Sequence, residues 1–148
     1  MANGAPVLAR NLLKSHFETA VDFNRVFFDD RPVFGPTKTW RGVISAIVIT
    51  LPVALLLGFT AELGLVLAAL AMLGDLLGSF IKRRFKLAPS SRALGLDQIP
   101  ESLLPMFACQ SMLGLGWQST VMIVFLFFVM ELLLSRLLYQ LHIRKHPY

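Results

Sequence analysis

A single cysteine, Cys109, stands in the 148 residues. It has no partner for an intramolecular disulfide, and a metal cluster built on thiolates is excluded with it. Charge is scarce as well: 16% of residues are Asp, Glu, Lys or Arg, where a soluble domain of this size carries about a quarter. Acids are fewer than bases, nine against 14, for a formal charge of +5. The three histidines, His16, His142 and His146, share no ligand spacing and read as surface residues. The first forty residues hold no long apolar run and no secretory pattern. No repeat, low-complexity tract or linker divides the chain, so a single domain is expected. Apolar residues make up the rest of the picture, at 55% of the sequence with 12 phenylalanines. That composition belongs to a membrane protein.

Crossing a bilayer as a helix takes about 20 apolar residues. Residues 43–59, 63–81 and 119–141 satisfy that length. A fourth stretch, 102–116, is shorter and contains Pro105, Gln110 and two glycines; it reads as a thin or tilted span or a re-entrant piece. All 14 basic residues fall before 43–59, between 63–81 and 102–116, or in the last span and the tail after it. The two short connections, 60–62 and 114–118, have none. By the positive-inside rule, both termini and the basic central loop then face the cytoplasm, and four spans is the economical count. The expected fold is an all-α polytopic membrane helix bundle. Ahead of it, Val7, Leu8, Leu12 and Leu13 recur at near-helical spacing among polar residues, as in a helix lying along headgroups or packed on the spans.

Three polar segments carry chemistry. In Gly74-Asp75-Leu76-Leu77-Gly78-Ser79-Phe80-Ile81-Lys82-Arg83-Arg84, Ser79 and Lys82 fall within about 40° of Asp75 around a helix. Asp75 lies roughly two turns from the cytoplasmic end of its span, where an ionised carboxylate is costly. Its natural partners are Lys82, a metal ion, or both. Taken singly, the parts have plainer readings: a Lys-Arg-Arg run is a topological stop, Gly74 and Gly78 a helix-packing pair, and Asp75 one half of a structural ion pair. Together on one face they favour a site.

In Phe34-Gly35-Pro36-Thr37-Lys38-Thr39-Trp40-Arg41-Gly42, a Gly-Pro turn precedes two cations one helical turn apart, with two hydroxyls between them. That is the donor set a phosphate chain needs, although anchoring cations beside an interfacial Trp40 would look the same. In Gly95-Leu96-Asp97-Gln98, Asp97 is the loop carboxylate placed to approach Asp75. Two carboxylates plus substrate phosphates suit Mg²⁺, whereas an Asp ahead of a helix is also a common cap. Glu131, inside the last span, has no assigned role.

These segments, together with Asn3-Gly4-Ala5-Pro6-Val7 and Leu96-Asp97-Gln98, resemble the CDP-archaeol synthase family in order and spacing. The Gly-Asp to Lys-Arg-Arg block and the Lys-Thr-x-Arg-Gly block are the specific parts. The resemblance implies an integral membrane enzyme that transfers CMP from CTP to an ether-linked isoprenoid glycerol phosphate, with Mg²⁺, releasing pyrophosphate. Ser79, Lys82 and Arg83 look like the Ser-x-x-Lys-Arg core of the related phosphatidate cytidylyltransferases, and Asp97 like their downstream aspartate. Their longer His-Gly-Gly and Asp-Arg-x-x-Asp pattern is absent. Two departures stand out. Family members usually carry a span ahead of the Asn-x-x-Pro-Val motif, at which this sequence starts. The family's Pro-x-Asp-x-Gly segment reads here Ala20-Val21-Asp22-Phe23-Asn24.

The implied catalytic set is Asp75, Ser79, Lys82 and Asp97, with Asp75 and Asp97 on the metal. Lys38, Thr39, Arg41, Lys82 and Arg83 would hold the triphosphate and the lipid headgroup. The expected partners are CTP, a lipid phosphate and membrane lipids, with no nucleic acid. A second copy would help so small a bundle enclose its lipid, although no residue specifies a homodimer. The rival expectation is a non-catalytic relative that binds anionic lipid through its basic loops. A small transporter would need paired broken spans with midplane polar groups, and only Glu131 and the short stretch at 102–116 answer to that.

Overall fold

A computed structural model of the chain describes Ala5, Pro6, Ala9, residues 16–88, Ser91, Ala93 and residues 95–140. From residue 16 onward, four helices stand among the described residues after a polar loop: α1 Trp40–Leu56, α2 Ala61–Arg84, α3 Gln98–Cys109 and α4 Trp117–Gln140. Among the described residues, β structure is limited to two isolated bridges. The expected helix along 7–14 lies largely outside the described residues. Within it, Ala9 is buried, as is the nearby Ala5.

The helices start where local chemistry starts them. Thr39 caps α1, its hydroxyl accepting from the Gly42 N–H at 3.3 Å, and Thr60 caps α2 by accepting from Leu63 at 3.2 Å. Glu62 in the first turn of α2 and Lys82, Arg83 and Arg84 in its last turn both suit the helix dipole. The cap on Thr39 explains why α1 begins three residues before the apolar run at 43–59. The apolar stretch read as 102–116 divides differently: α3 opens at Gln98 and closes at Cys109, and a turn with Gly114 at φ 64° leads into α4. Twelve residues make a helix of about 18 Å, shorter than a bilayer core.

Packing is sequential, with α1 on α2, α2 on α3 and α3 on α4. The α1–α2 contact closes at Gly64, where an added Cβ would stand 2.7 Å from that of Ala54. The α2–α3 contact closes on backbone. A Cβ at Gly74 would lie 2.3 Å from the Pro100 carbonyl oxygen, and one at Gly78 would lie 2.4 Å from that of Leu96. The two glycines therefore let the start of α3 press directly on the polar half of α2. Two helices, α2 and α4, are long and apolar enough to cross a membrane, and only 11% of the most apolar stretch of α4 is buried against protein. Lipid is the natural cover for the rest.

The N-terminal loop is held by Asp22. Its carboxylate accepts from the backbone N–H of Asn24 at 3.0 Å and from those of Phe34 and Gly35 at 2.9 Å each. Gly35 sits at φ 99°, which suits glycine, and the turn it opens is closed by Lys38 N–H on the Gly35 carbonyl at 3.2 Å. The Lys38 carbonyl in turn accepts from Val21 at 2.8 Å. The variant segment at 20–24 is thus the clasp of the loop.

Two outcomes follow from this packing. Gly74→Ala and Gly78→Ala should each destabilise the bundle by roughly 1–3 kcal/mol, seen as earlier thermal unfolding in detergent. Gly116→Ala, whose methyl would meet nothing within 4 Å, should melt with the parent; three identical curves would remove the glycine seam as a determinant. For Asp22, burial opposes ionisation, but the N–H donors of Gly35, Phe34 and Asn24 outweigh it and hold the carboxylate below its ordinary 3.8. A depressed folded value contributes stability that is present above the ordinary value and lost as pH falls through the folded one. Hydrogen exchange over residues 33–38, corrected for intrinsic rates, should therefore stay slow down to about pH 4 and speed up below it. Asp22→Asn should exchange fast at neutral pH and lack the acid step, and a parent protein without that step contradicts the clasp.

Candidate functional site

Lys38 is where the loop meets the bundle. Its ammonium lies 2.6 Å from both carboxylate oxygens of Asp75, a charge-assisted contact spanning 37 residues of sequence. Asp75 stands nine residues before the end of α2, about 13 Å along the axis. Of the partners the sequence offers for Asp75, Lys82 is corrected: the lysine beside Asp75 is Lys38. Lys82 instead lies 2.6 Å from Asp97 and donates to the Ser91 carbonyl at 3.0 Å. The reason is geometric: the chain before Thr39 folds over the middle of α2, while the α2–α3 connection folds back over its last turn.

A cavity of about 520 Å³ opens beside the Lys38–Asp75 pair, within the size range of small-ligand sites. Thr37, Lys38, Thr39 and Arg41 form one wall, and Met72, Asp75 and Leu76 of α2 form the other, with Glu18 and Asn24 at the loop side. Arg41 is nearly buried and braced from behind. It donates to the His16 carbonyl at 2.7 Å and approaches Glu18 at 3.4 Å. The wall is thus cationic and hydroxyl-rich, facing a carboxylate.

Ser79, Lys82, Arg83 and Asp97 do not line this cavity. They form a second polar group one to two turns further along α2. Ser79 is 2% exposed, Lys82 5% and Arg83 4%, and Arg83 donates to the Ala88 carbonyl at 2.8 Å. Burial of two cations at a helix end demands compensation, which Asp97 and the loop carbonyls supply. The sequence-derived set therefore divides into a cavity group (Lys38, Thr39, Arg41, Asp75) and a helix-end group (Ser79, Lys82, Arg83, Asp97).

Glu101 bridges the two. It is 6% exposed, sits at the first turn of α3 against Gly74, and lies within electrostatic reach of Asp75, Lys38, Asp97 and Glu131. Its Oε1 is buried with no hydrogen-bond partner among the described residues. The sequence reading passed over Glu101. The available signal was an acid at the head of an apolar stretch, directly after Pro100 and three residues from Gln98.

Among the described residues no group of three or more His, Cys, Asp or Glu is placed to hold a metal ion. Asp75 and Asp97 each offer a carboxylate already matched to a lysine. Hard oxygens of one or two carboxylates, completed by substrate phosphates, are the donor set that Mg²⁺ uses, so the residues present fit that ion in kind.

The chain is similar to known proteins. Residues 57–148 match the family model described as CarS-like: CDP-archaeol synthase. A CDP-archaeol synthase of Sulfurisphaera tokodaii is 32% identical across 100% of this chain and 89% of its own length. One from Hyperthermus butylicus is 43% identical across 66% of this chain, and the match spans 59% of that protein. Among solved structures, an intramembrane enzyme of archaeal membrane-lipid biosynthesis superposes with a TM-score of 0.72 at 27% identity, covering 90% of this chain and 85% of that one. The chain belongs to the CDP-archaeol synthase family.

Proposed function

We propose that this protein transfers CMP from CTP to an isoprenoid ether-lipid phosphate, releasing pyrophosphate, at the cytoplasmic face of the cell membrane. The observation that carries the reading is the Lys38–Asp75 pair on the wall of a cavity that Thr37, Thr39 and Arg41 also line, side chains able to donate to phosphate oxygens. With both termini cytoplasmic, as the placement of the basic residues favours, that wall faces the side where CTP is available.

The chemistry is an in-line displacement in which an oxygen of the lipid phosphate attacks the α-phosphorus of CTP. Such a phosphate is already ionised near neutral pH, so positioning and charge neutralisation are the main tasks. In the free protein Lys38 and Asp75 neutralise each other. Arrival of the triphosphate gives Lys38 a second anion to bind, and Asp75 is released to a cation. Asp75 and, from the helix-end group, Asp97 are the residues that would hold Mg²⁺, which would supply charge neutralisation for the phosphates. Glu101, whose buried Oε1 has no partner among the described residues, lies within electrostatic reach of both carboxylates. Lys82 and Arg83 would neutralise the lipid headgroup, with Ser79 donating to a phosphate oxygen. The lipid chains would then lie against the apolar flank of the bundle, and a second copy packed on the exposed α4 would help enclose them.

The test is CMP transfer from radiolabelled CTP with Mg²⁺ to a panel containing unsaturated archaetidic acid and phosphatidate. The expected product forms with the archaeal lipid, and Asp75→Asn should lower transfer by about 100-fold or more. Transfer by Asp75→Asn with unaltered Mg²⁺ dependence removes Asp75 as a metal ligand. Folded parent protein that turns over no acceptor favours the rival, a lipid-binding relative without catalysis.

A further inference from the structure

One hairpin of the N-terminal loop is built to face something other than water. Residues 25–33 form it. Val26 bridges Pro32, the Phe27 N–H donates to the Arg31 carbonyl at 2.7 Å, and the Asp30 N–H closes the turn on the Phe27 carbonyl at 3.0 Å. Asp30 takes the left-handed conformation at φ 56°, which aspartate tolerates better than most residues. The tip is therefore Phe28-Asp29. Phe28 is 98% exposed, and Val26, two residues earlier, is 62% exposed.

The hairpin is not loose. Arg84, the last residue of α2, pairs with Asp29 and donates to the Pro32 carbonyl at 2.7 Å. Arg31 donates back to the Arg84 carbonyl at 3.0 Å. The Arg84 guanidinium also lies over both the Phe27 and Phe80 rings, 4.8 and 4.9 Å from their centroids. Phe27 packs edge-on against Phe80 at 5.3 Å and against Phe28 at 5.0 Å. A rigidly held tip that presents a fully exposed phenylalanine calls for a cover.

The position of the tip on α2 identifies that cover. At 100° per residue, Leu73, Leu77, Phe80 and Arg84 lie within about 60° of one another. This stripe is on the face opposite Asp75, Ser79 and Lys82. Leu73 and Leu77 are half exposed on a helix long and apolar enough to cross a membrane. Phe27 and Phe28 extend the stripe past Phe80, at the level of the basic last turn. Asp29 is neutralised by Arg84, while Asp30 is exposed. The charge on Asp30 limits the depth to the headgroup region and keeps the tip out of the hydrocarbon.

We propose that the 25–33 hairpin is a membrane-interface anchor that seats Phe28 and Val26 among the lipid headgroups. The occupant of this surface is the bilayer that receives α2. The anchor holds the loop carrying Lys38 at a fixed height over the membrane. It rests on α2 spanning the bilayer and is independent of the reaction assigned above.

Nitroxide labelling tests it on the full chain in phosphatidylcholine vesicles. Cys109, fully buried, is replaced by Ala, and a label is placed at Phe28→Cys, Val26→Cys or, as an aqueous reference, Glu18→Cys. Power saturation should give labels at 28 and 26 a ratio of oxygen to water-soluble nickel collisions several-fold above that at 18. A ratio at both positions equal to that at 18 places the hairpin in water and overturns the proposal. Labels shielded from both agents place it under protein, a second copy included, and overturn it equally. CMP transfer measured on the same samples reports separately on the catalytic reading.

Discussion

The Lys38–Asp75 ion pair is the contact on which the arrangement turns. It joins a loop with little regular structure to the middle of a long apolar helix, and both of its charged groups are partly buried. Everything around it serves that meeting. Asp22 gathers the turn that carries Lys38, the bridge from Ala20 to Thr39 fixes its backbone, and Arg41 fastens the start of α1 to residues 16–18. On the other side, Gly74 and Gly78 bring α3 close enough for Glu101 to share the same field.

Helix α2 divides the molecule into two media. One face carries Asp75, Ser79 and Lys82 and meets the loop and the α2–α3 connection. The opposite face carries Leu73 and Leu77, both half exposed. A helix with this division holds a polar reaction site and a lipid-facing stripe at the same height, which is what a reaction between a soluble nucleotide and a membrane lipid requires. The pairing of each carboxylate with a lysine neutralises both carboxylates in the free protein.

Much of this was legible in the sequence, because periodicity and charge placement act locally. The positions of α1, α2 and α4, the shared face of Asp75, Ser79 and Lys82, the packing use of Gly74 and Gly78, and the family resemblance all come from short-range patterns. What escaped depends on how distant segments meet. The sequence offers Lys82 as one partner of Asp75 because both lie on one helix, whereas Lys38 is 37 positions away and arrives only through the clasp of Asp22. Glu101 went unnamed because an acid after a proline reads as a helix start, and its burial is decided by glycines on another helix. The short third apolar stretch was read through to Gly116, yet α3 ends at Cys109 and a turn occupies part of that length.

The central claim is that Lys38 exchanges Asp75 for the CTP phosphates. The most direct measurement is CTP affinity without Mg²⁺, by calorimetry on protein in nanodiscs, for the parent, Lys38→Met and Asp75→Asn. The account predicts binding weaker by about tenfold or more for Lys38→Met, and binding tighter than the parent for Asp75→Asn, in which Lys38 has lost its competitor. Parent-like affinity in Lys38→Met, with both variants folded, would contradict it.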